Sequence, residues 1–359
     1  MTDTLYTTAG AAVPLPPARS ARRWLTALPR RRWEPWRDWA VITVVNHLML
    51  LTVALLHPHG LLLIAAAVPV SVGFAIGTVT VLHDAGHRMF SARTWPNVLA
   101  VQTSTPAGLW AGHWTLKHRM HHKLSQVYPF DEATRSSAMV RLHPAAPSNS
   151  WQRWQHLYVW PLYGLVWVGE IRSQLRFLRN GEITGMQSPP SARSRTVSFA
   201  AEKALWLLIL LPYAWLLGVG SLTILLVAVE TFASLIAAVV LVVGHINEGL
   251  LPGTEPPGRA WAAYLVRTTV SFSTDSTLMR WLTGGMTHHL AHHLRPVAVR
   301  SELPALHRTV VRDVVVATGV PLAEYRTMRA AIAGHWRRLR ELGRPDALRA
   351  APLSDRKET

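Results

Sequence analysis

Residues 40–82, AVITVVNHLMLLTVALLHPHGLLLIAAAVPVSVGFAIGTVTVL, contain no Asp, Glu, Lys or Arg. A run of that length accommodates two membrane spans of about 20 residues each. His57-Pro58-His59-Gly60 supplies the turn between them. A second apolar stretch, residues 204–244, repeats the pattern around Gly218-Val219-Gly220-Ser221. The 359-residue chain therefore reads as an all-α integral membrane protein, with four transmembrane helices in two hairpins.

The charge fixes an expected orientation. The segments 1–39, 83–203 and 245–359 carry the arginines, whereas both turns carry none. The positive-inside rule then puts both termini and the central segment in the cytoplasm of a multi-pass cell-membrane protein. Arg22, Arg23, Arg30, Arg31, Arg32 and Arg37, interleaved with Trp24, Trp33, Trp36 and Trp39, read as a basic aromatic belt at the headgroups. Residues 1–20 read as a mobile tail without a signal peptide. The net charge of +17 is spread among membrane runs, and no nucleic-acid-binding signature accompanies it. The organisation expected is a basic tail over 1–38, a membrane domain over 39–296 and a cytoplasmic helical segment and tail over 297–359. Two shorter apolar runs, Val98–Trp110 and Leu157–Val168, read as interfacial or re-entrant pieces, and a polar helix is expected around Pro321–Gly343.

With no cysteine in the chain, any metal must be held by nitrogen and oxygen. Three histidine clusters stand out: His83-Asp84-Ala85-Gly86-His87, His118-Arg119-Met120-His121-His122 and His289-Leu290-Ala291-His292-His293. On a helix, residues at i, i+3 and i+4 share one face, so the spacing aims several imidazoles at one point. All three clusters fall on the cytoplasmic side, in a helical cap beside the spans. Imidazoles without thiolates suit iron, zinc, copper or nickel, not calcium or magnesium. Eight of them exceed the four to six ligands of one ion, so two metals are expected. Zinc would support hydrolysis and iron or copper dioxygen chemistry; spacing alone does not decide between them. The isolated His47, His57, His143, His156, His307 and His335 read as structural.

The three boxes, in this order and between two hairpins, resemble those of the membrane fatty-acid desaturase family. The runs RLHPAAPSNSWQRWQHLYVWPLYGL (141–165), VRTTVSFSTDSTLMRWLTGGMTHHLAHHLRP (266–296) and RTMRAAIAGHWRRLRELG (326–343) are similar to its acyl-CoA and front-end (linoleoyl-type) branch, over roughly residues 40–343. The resemblance implies a di-iron enzyme that uses O2 to remove two hydrogens from adjacent methylenes of a fatty acyl chain. Its ligands would be His83, His87, His118, His121, His122, His292 and His293, with His245 at the end of the fourth span and His289 opening the third box. Asp84 and Asp131 match acidic residues that orient imidazoles through their free N–H. The cytochrome b5 domain fused to some relatives is missing, which implies a separate ferredoxin-type electron donor. Thr287 and Ala291 depart from the branch's usual Asn and Glu.

Other residues are read from the chain alone. His113, five residues before the second box, reads as a pocket or ligand-orienting residue, or as packing. His288 would point away from its neighbour His289. Glu230 lies about 22 Å below His245 at 1.5 Å per residue, too far to bind the same metal; pairing between helices is expected of it, ahead of a role at the end of an acyl tunnel. The alternatives to desaturation are hydroxylation or acetylenic-bond formation on the same scaffold, and a membrane metal transporter. A transporter would carry ligands inside its spans, whereas these clusters sit at span ends. The acyl group's carrier, whether coenzyme A, a carrier protein or a lipid, is not encoded in the charge.

Overall fold

The computed structural model describes residues 4–6, 12–14, 33–105, 108–186 and 188–344. Four of its helices are long and apolar enough to cross a membrane. Helix α1 (Glu34–Leu56) ends where His57 adopts a left-handed conformation and donates its N–H to the Val53 carbonyl. Gly60, with φ of +56°, then starts α2 (Leu61–Gly77), so the turn lies where the sequence puts it. After α2 a wide π turn, Thr78–Leu82, leads into the four helical residues His83–Gly86. Such a turn re-phases the helix that follows, a device common at functional sites.

The central segment folds into short helices: α3 (Thr94–Ser104), α4 (Ala111–Leu124), α5 (Gln155–Tyr163) and α6 (Val166–Asn180). The apolar run Leu157–Val168 is thus divided between α5 and α6, with the break at Gly164 and Leu165. The long helices α7 (Ala192–Leu217) and α8 (Val219–Val242) follow. Their connection is tighter than the expected four-residue turn. Gly218 alone, at φ +76°, breaks the chain, and Val219 already belongs to α8. Beyond it come α9 (Trp261–Thr268), the six-residue α10 (His289–Leu294) and α11 (Met328–Leu342).

Helices dominate, with one addition to the all-α expectation. Strands β1 (Thr4–Tyr6) and β2 (Ala12–Pro14) pair antiparallel, and β3 (Val270–Phe272) pairs parallel with β4 (Ala323–Tyr325). The second pair consumes residues assigned above to the C-terminal helix, which starts only at Met328, where the Thr327 side chain accepts from Ala330 N–H. Of the segment read as a mobile tail, β1 and β2 are described; the remainder, and the arginines at 22, 23 and 30–32, lie outside the described residues.

One apolar cluster joins all four long helices, with Leu50 and Val53 of α1, Ala67 and Phe74 of α2, Tyr213 of α7 and Leu225 and Val229 of α8. Small residues let backbones approach: a Cβ on Gly73 would lie 2.2 Å from Asn46 Oδ1. The opposite faces expose Leu48, Leu55, Leu61, Leu208, Leu211 and Trp215. Apolar surface on that scale marks contact with lipid. The chain beyond the fourth long helix has its own apolar core, in which Leu265, Leu290, Leu303 and Leu306 pack together across residue 296.

Candidate metal centre

Nine histidines meet where α2, α4, α8 and α10 end or begin. Five of them, His83, His87, His118, His122 and His292, offer ring nitrogens within 4.8 Å of one another. His121, His245 and His293 do the same a short distance away. His289 joins this second group through its Nε2, 2.8 Å from that of His245.

The second box is therefore not aimed at one point, as its shared helix face suggests. Successive helical residues turn by about 100°. His118 and His122, four apart, stay nearly in line and reach the first group; His121, about 100° from His122, reaches the second. The third box mirrors this: His289 and His293 face the second group, while His292 crosses to the first.

The distances exclude a hydrogen-bond network as the reason for the convergence. His245 Nε2 lies 3.0 Å from His121 Nε2, 2.8 Å from His289 Nε2 and 3.0 Å from His293 Nε2. A ring nitrogen has one hydrogen or one lone pair and cannot serve three partners. In the first group the Nε2 atoms run His83–His292–His122–His118–His87 at 3.0, 3.1, 3.2 and 2.9 Å. Two imidazole nitrogens bound at 2.0–2.1 Å and about 90–100° apart on one ion lie about 2.8–3.2 Å from each other. The arrangement fits two metal ions with nitrogen ligands. Five converging imidazoles also exceed the four-coordinate shell that zinc prefers, while suiting a six-coordinate ion such as iron.

The electrostatics agree. Burial, then the neighbouring imidazoles, hold His118, His122, His289, His292 and His293 well below the ordinary histidine value. Burial and His121 bring His245 down to about 3. At neutral pH these rings are uncharged, the form that binds metal.

Partners around the rings differ in quality. Asp131 accepts from His121 Nδ1 at 2.9 Å, and also from the backbone N–H of Gln126 (2.7 Å) and Ala133 (2.9 Å) and the Thr134 hydroxyl (2.9 Å). Burial alone would raise its carboxyl, but His121 and these donors hold it at about 2. His121 is thus a tautomer with Nδ1–H, leaving Nε2 free for metal. Asp84 is looser: its Oδ1 lies 3.6 Å from His83 Nδ1, outside hydrogen-bond range. The Thr268 carbonyl faces His245 Nδ1 at 3.4 Å, and Trp114 stacks on His118 at 5.3 Å between ring centres.

Several contributors carry no local signal. Thr268 acts through its backbone. Glu202, on α7, accepts from the N–H groups of Ala111 (2.6 Å) and Gly112 (3.3 Å) and so caps the N-terminus of the box helix α4; an acidic residue at the edge of an apolar span is the only hint of it. Glu170 of α6 accepts from Lys117 and lies 3.1 Å from His113 Nδ1, fixing α4 from another side. Burial opposes its ionisation, yet Lys117 and His113 bring Glu170 to about 2. His113, fully buried, is thus an anchoring residue away from the metal groups. His288 turns to Thr287 Oγ1 at 2.8 Å and to the His307 ring. Glu230 departs from the interhelical pairing expected of it. Among the described residues its hydrogen-bond partner is Ser234, one turn on along its own helix at 3.3 Å.

Fold and site together define a helical integral membrane protein with two adjoining groups of histidines that could each hold a metal ion. The sequence profile of the family described as fatty acid desaturase matches residues 61–326. The chain belongs to that family and is an oxidoreductase of the desaturase class. It is 26% identical over 285 residues to the sn-1 linoleoyl-lipid 6-desaturase of Synechocystis, covering 76% of this chain and 79% of that one. To the enzyme of the same name from Arthrospira platensis it is 25% identical over 282 residues, 75% of this chain and 76% of the relative. An acyl-lipid (8-3)-desaturase of Mortierella alpina is 26% identical over 342 residues, 88% of this chain and 73% of the relative.

Proposed function

We propose that the protein is an acyl-chain desaturase with a pair of irons as its cofactor. One ion would be held by His83, His87, His118, His122 and His292, and the other by His121, His245, His289 and His293. The observation that carries this reading is the convergence of two all-imidazole groups at distances suited to ligands of single ions. Bound iron supplies O2 activation and the oxidising power to remove hydrogen from an unactivated methylene. The balance is –CH2–CH2– + O2 + 2 electrons + 2 protons → –CH=CH– + 2 H2O. The chain has no cysteine for an iron–sulfur cluster, so a ferredoxin-type donor would bring the electrons.

The chain's own groups orient and protect. Asp131 holds His121 in one tautomer, Glu202 and Glu170 fix the rotation of α4, and Trp114 lies flat against His118. Burial of the ring nitrogens keeps bulk water from the oxidising centre. The substrate would be a fatty acyl chain, lipid-linked as in the names of the relatives. Two hairpins, with the histidine cap and both termini in the cytoplasm, satisfy the charge distribution. In this arrangement 39–296 is the desaturase domain, between cytoplasmic segments 1–38 and 297–359.

Expression with a ferredoxin and its reductase, followed by gas chromatography–mass spectrometry of total acyl chains, tests the reading. A new double bond and two irons per chain are expected. A hydroxylated chain, or two bound zinc ions with no O2 consumption, would overturn it.

A further inference from the structure

The turn that follows the second box reaches both hydrogen-bonded rings of the second group. Gln126 is buried and lies just past the end of α4. Its backbone N–H donates to Asp131 Oδ2 at 2.7 Å, the same oxygen that lies 2.9 Å from His121 Nδ1. Its side-chain amide turns the other way and donates from Nε2 to the carbonyl of Thr268, 142 residues along the chain. That carbonyl also faces His245 Nδ1 at 3.4 Å. A carbonyl oxygen has two lone pairs, so it can accept from both N–H groups at once. The chain on either side is fastened beside His245: Leu251 N–H donates to Arg267 O at 3.0 Å and Val270 N–H to Gly244 O at 2.8 Å.

Gln126 makes both bonds from a strained backbone. Its φ is +55°, a conformation that Gly adopts freely and Asn tolerates better than most residues. Gly would bring no amide, and the Asn side chain is one methylene shorter. The turn is closed by N–H bonds from Val127 to Leu124 O (2.9 Å), from Asp131 to Val127 O (3.0 Å) and from Tyr128 to Gly253 O (3.0 Å). Strain of this kind persists where the surroundings over-determine it, and it gathers at functional sites. The other two rings of the group have no such support, since Nδ1 of His289 and of His293 is buried with no hydrogen-bond partner among the described residues. His245 Nε2 is the common neighbour of the Nε2 atoms of His121, His289 and His293, so its direction governs the whole group.

We propose that the Gln126 side chain is a positioning group for His245, acting through the Thr268 carbonyl, and that its turn ties this ring to His121. The inference rests on reading these histidines as metal ligands, and not on the reaction the metal performs. With its amide in place the carbonyl holds His245 as the tautomer with Nδ1–H, and Nε2 keeps its lone pair for the ion. Without the amide the carbonyl is free to turn, and the ring with it.

The test loads the full chain with iron in nanodiscs and compares two variants. Gln126→Met keeps the length of the side chain and removes its donor; Gln126→Gly removes the side chain and relaxes the backbone. Iron affinity is read by competition with a chelator, and the surroundings of each ion by Mössbauer spectra, the second ion's signal being the one that His121→Ala removes. Both variants are expected to release the second iron about tenfold more readily, the loss typical of a group that orients a ligand, and the first less than about twofold more readily. The second ion's quadrupole splitting should change while that of the first stays. Unchanged spectra and affinities in both variants overturn the proposal. So does an equal loss of both irons accompanied by a lower melting temperature, the mark of a residue that only holds the fold. Parallel acyl-chain analysis separates this result from the reading above. A chain that shows the expected iron loss yet forms no double bond defeats the desaturase reading alone, and one that forms the double bond while both variants keep their second iron defeats only the role of Gln126.

Discussion

The two histidine groups are built from the same residue type, but the hydrogen bonds that orient their rings fall unevenly between them. In the second group the protein itself orients two rings, through Asp131 on His121 and the Thr268 carbonyl facing His245. In the first, His122 Nδ1 is buried with no hydrogen-bond partner among the described residues, and Asp84 stands 3.6 Å from His83. The second group is therefore held by hydrogen bonds at His121 and His245 only, since Nδ1 of His289 and of His293, like that of His83 and His122 in the first, is buried with no hydrogen-bond partner among the described residues. The residues that differ in this respect lie within one helix, since α4 supplies both His121 and His122.

The largest effects should come from the ligands and should not distinguish the groups. His121→Ala and His122→Ala are each expected to reduce double-bond formation by more than about 100-fold, in keeping with the loss of a metal ligand. Iron analysis would show loss centred on the second site for His121→Ala and on the first for His122→Ala. Full activity in either variant would remove that ring from the ligand set. Next come the orienting carboxylates, where the groups should diverge. Asp131→Asn should lower iron affinity about 10–100-fold, and Asp84→Asn clearly less, as read by competition with a chelator. Equal losses would erase the contrast between the groups.

Acid should act on both. A histidine whose folded pKa lies below its unfolded value makes the unfolded state the better proton binder, so stability falls as pH drops below about 6.5. For His245 that decline continues towards a pH of about 3, while Asp131, held at about 2, contributes its own loss only below the ordinary carboxylate range. Thermal melts of metal-free protein from pH 7.5 to 5 should show a steady fall; a flat profile would mean the rings are not buried and neutral. The smallest change is steric. A Cβ on Gly244 would lie 2.7 Å from the His289 ring, so Gly244→Ala should loosen the second iron and leave the first in place, a difference that Mössbauer spectra of the two sites would resolve.

The spans and the clustering of the box histidines were legible because each rests on local pattern. A run without charge needs only to be counted, and i, i+3, i+4 spacing needs only the pitch of a helix. The extra strands β3 and β4 were not legible, since three-residue strands take their stability from a partner about 50 residues away. The one-residue break at Gly218 was hidden by a second glycine two positions on. Glu202 and Glu170 escaped for the same reason as Thr268: their roles are defined by what another helix brings to them.

The sequence by itself marked the eight box histidines as candidate donors near the span ends, because composition and helical period are properties of a segment alone; His245 entered only through the family resemblance. Only the tertiary structure decided how the donors are shared. Rings about 100° apart on one helix can meet the same ion or different ions, depending on where the facing helices stand. Here the packing of α2, α8 and α10 around α4 sends His118 and His122 to one centre and His121 to the other.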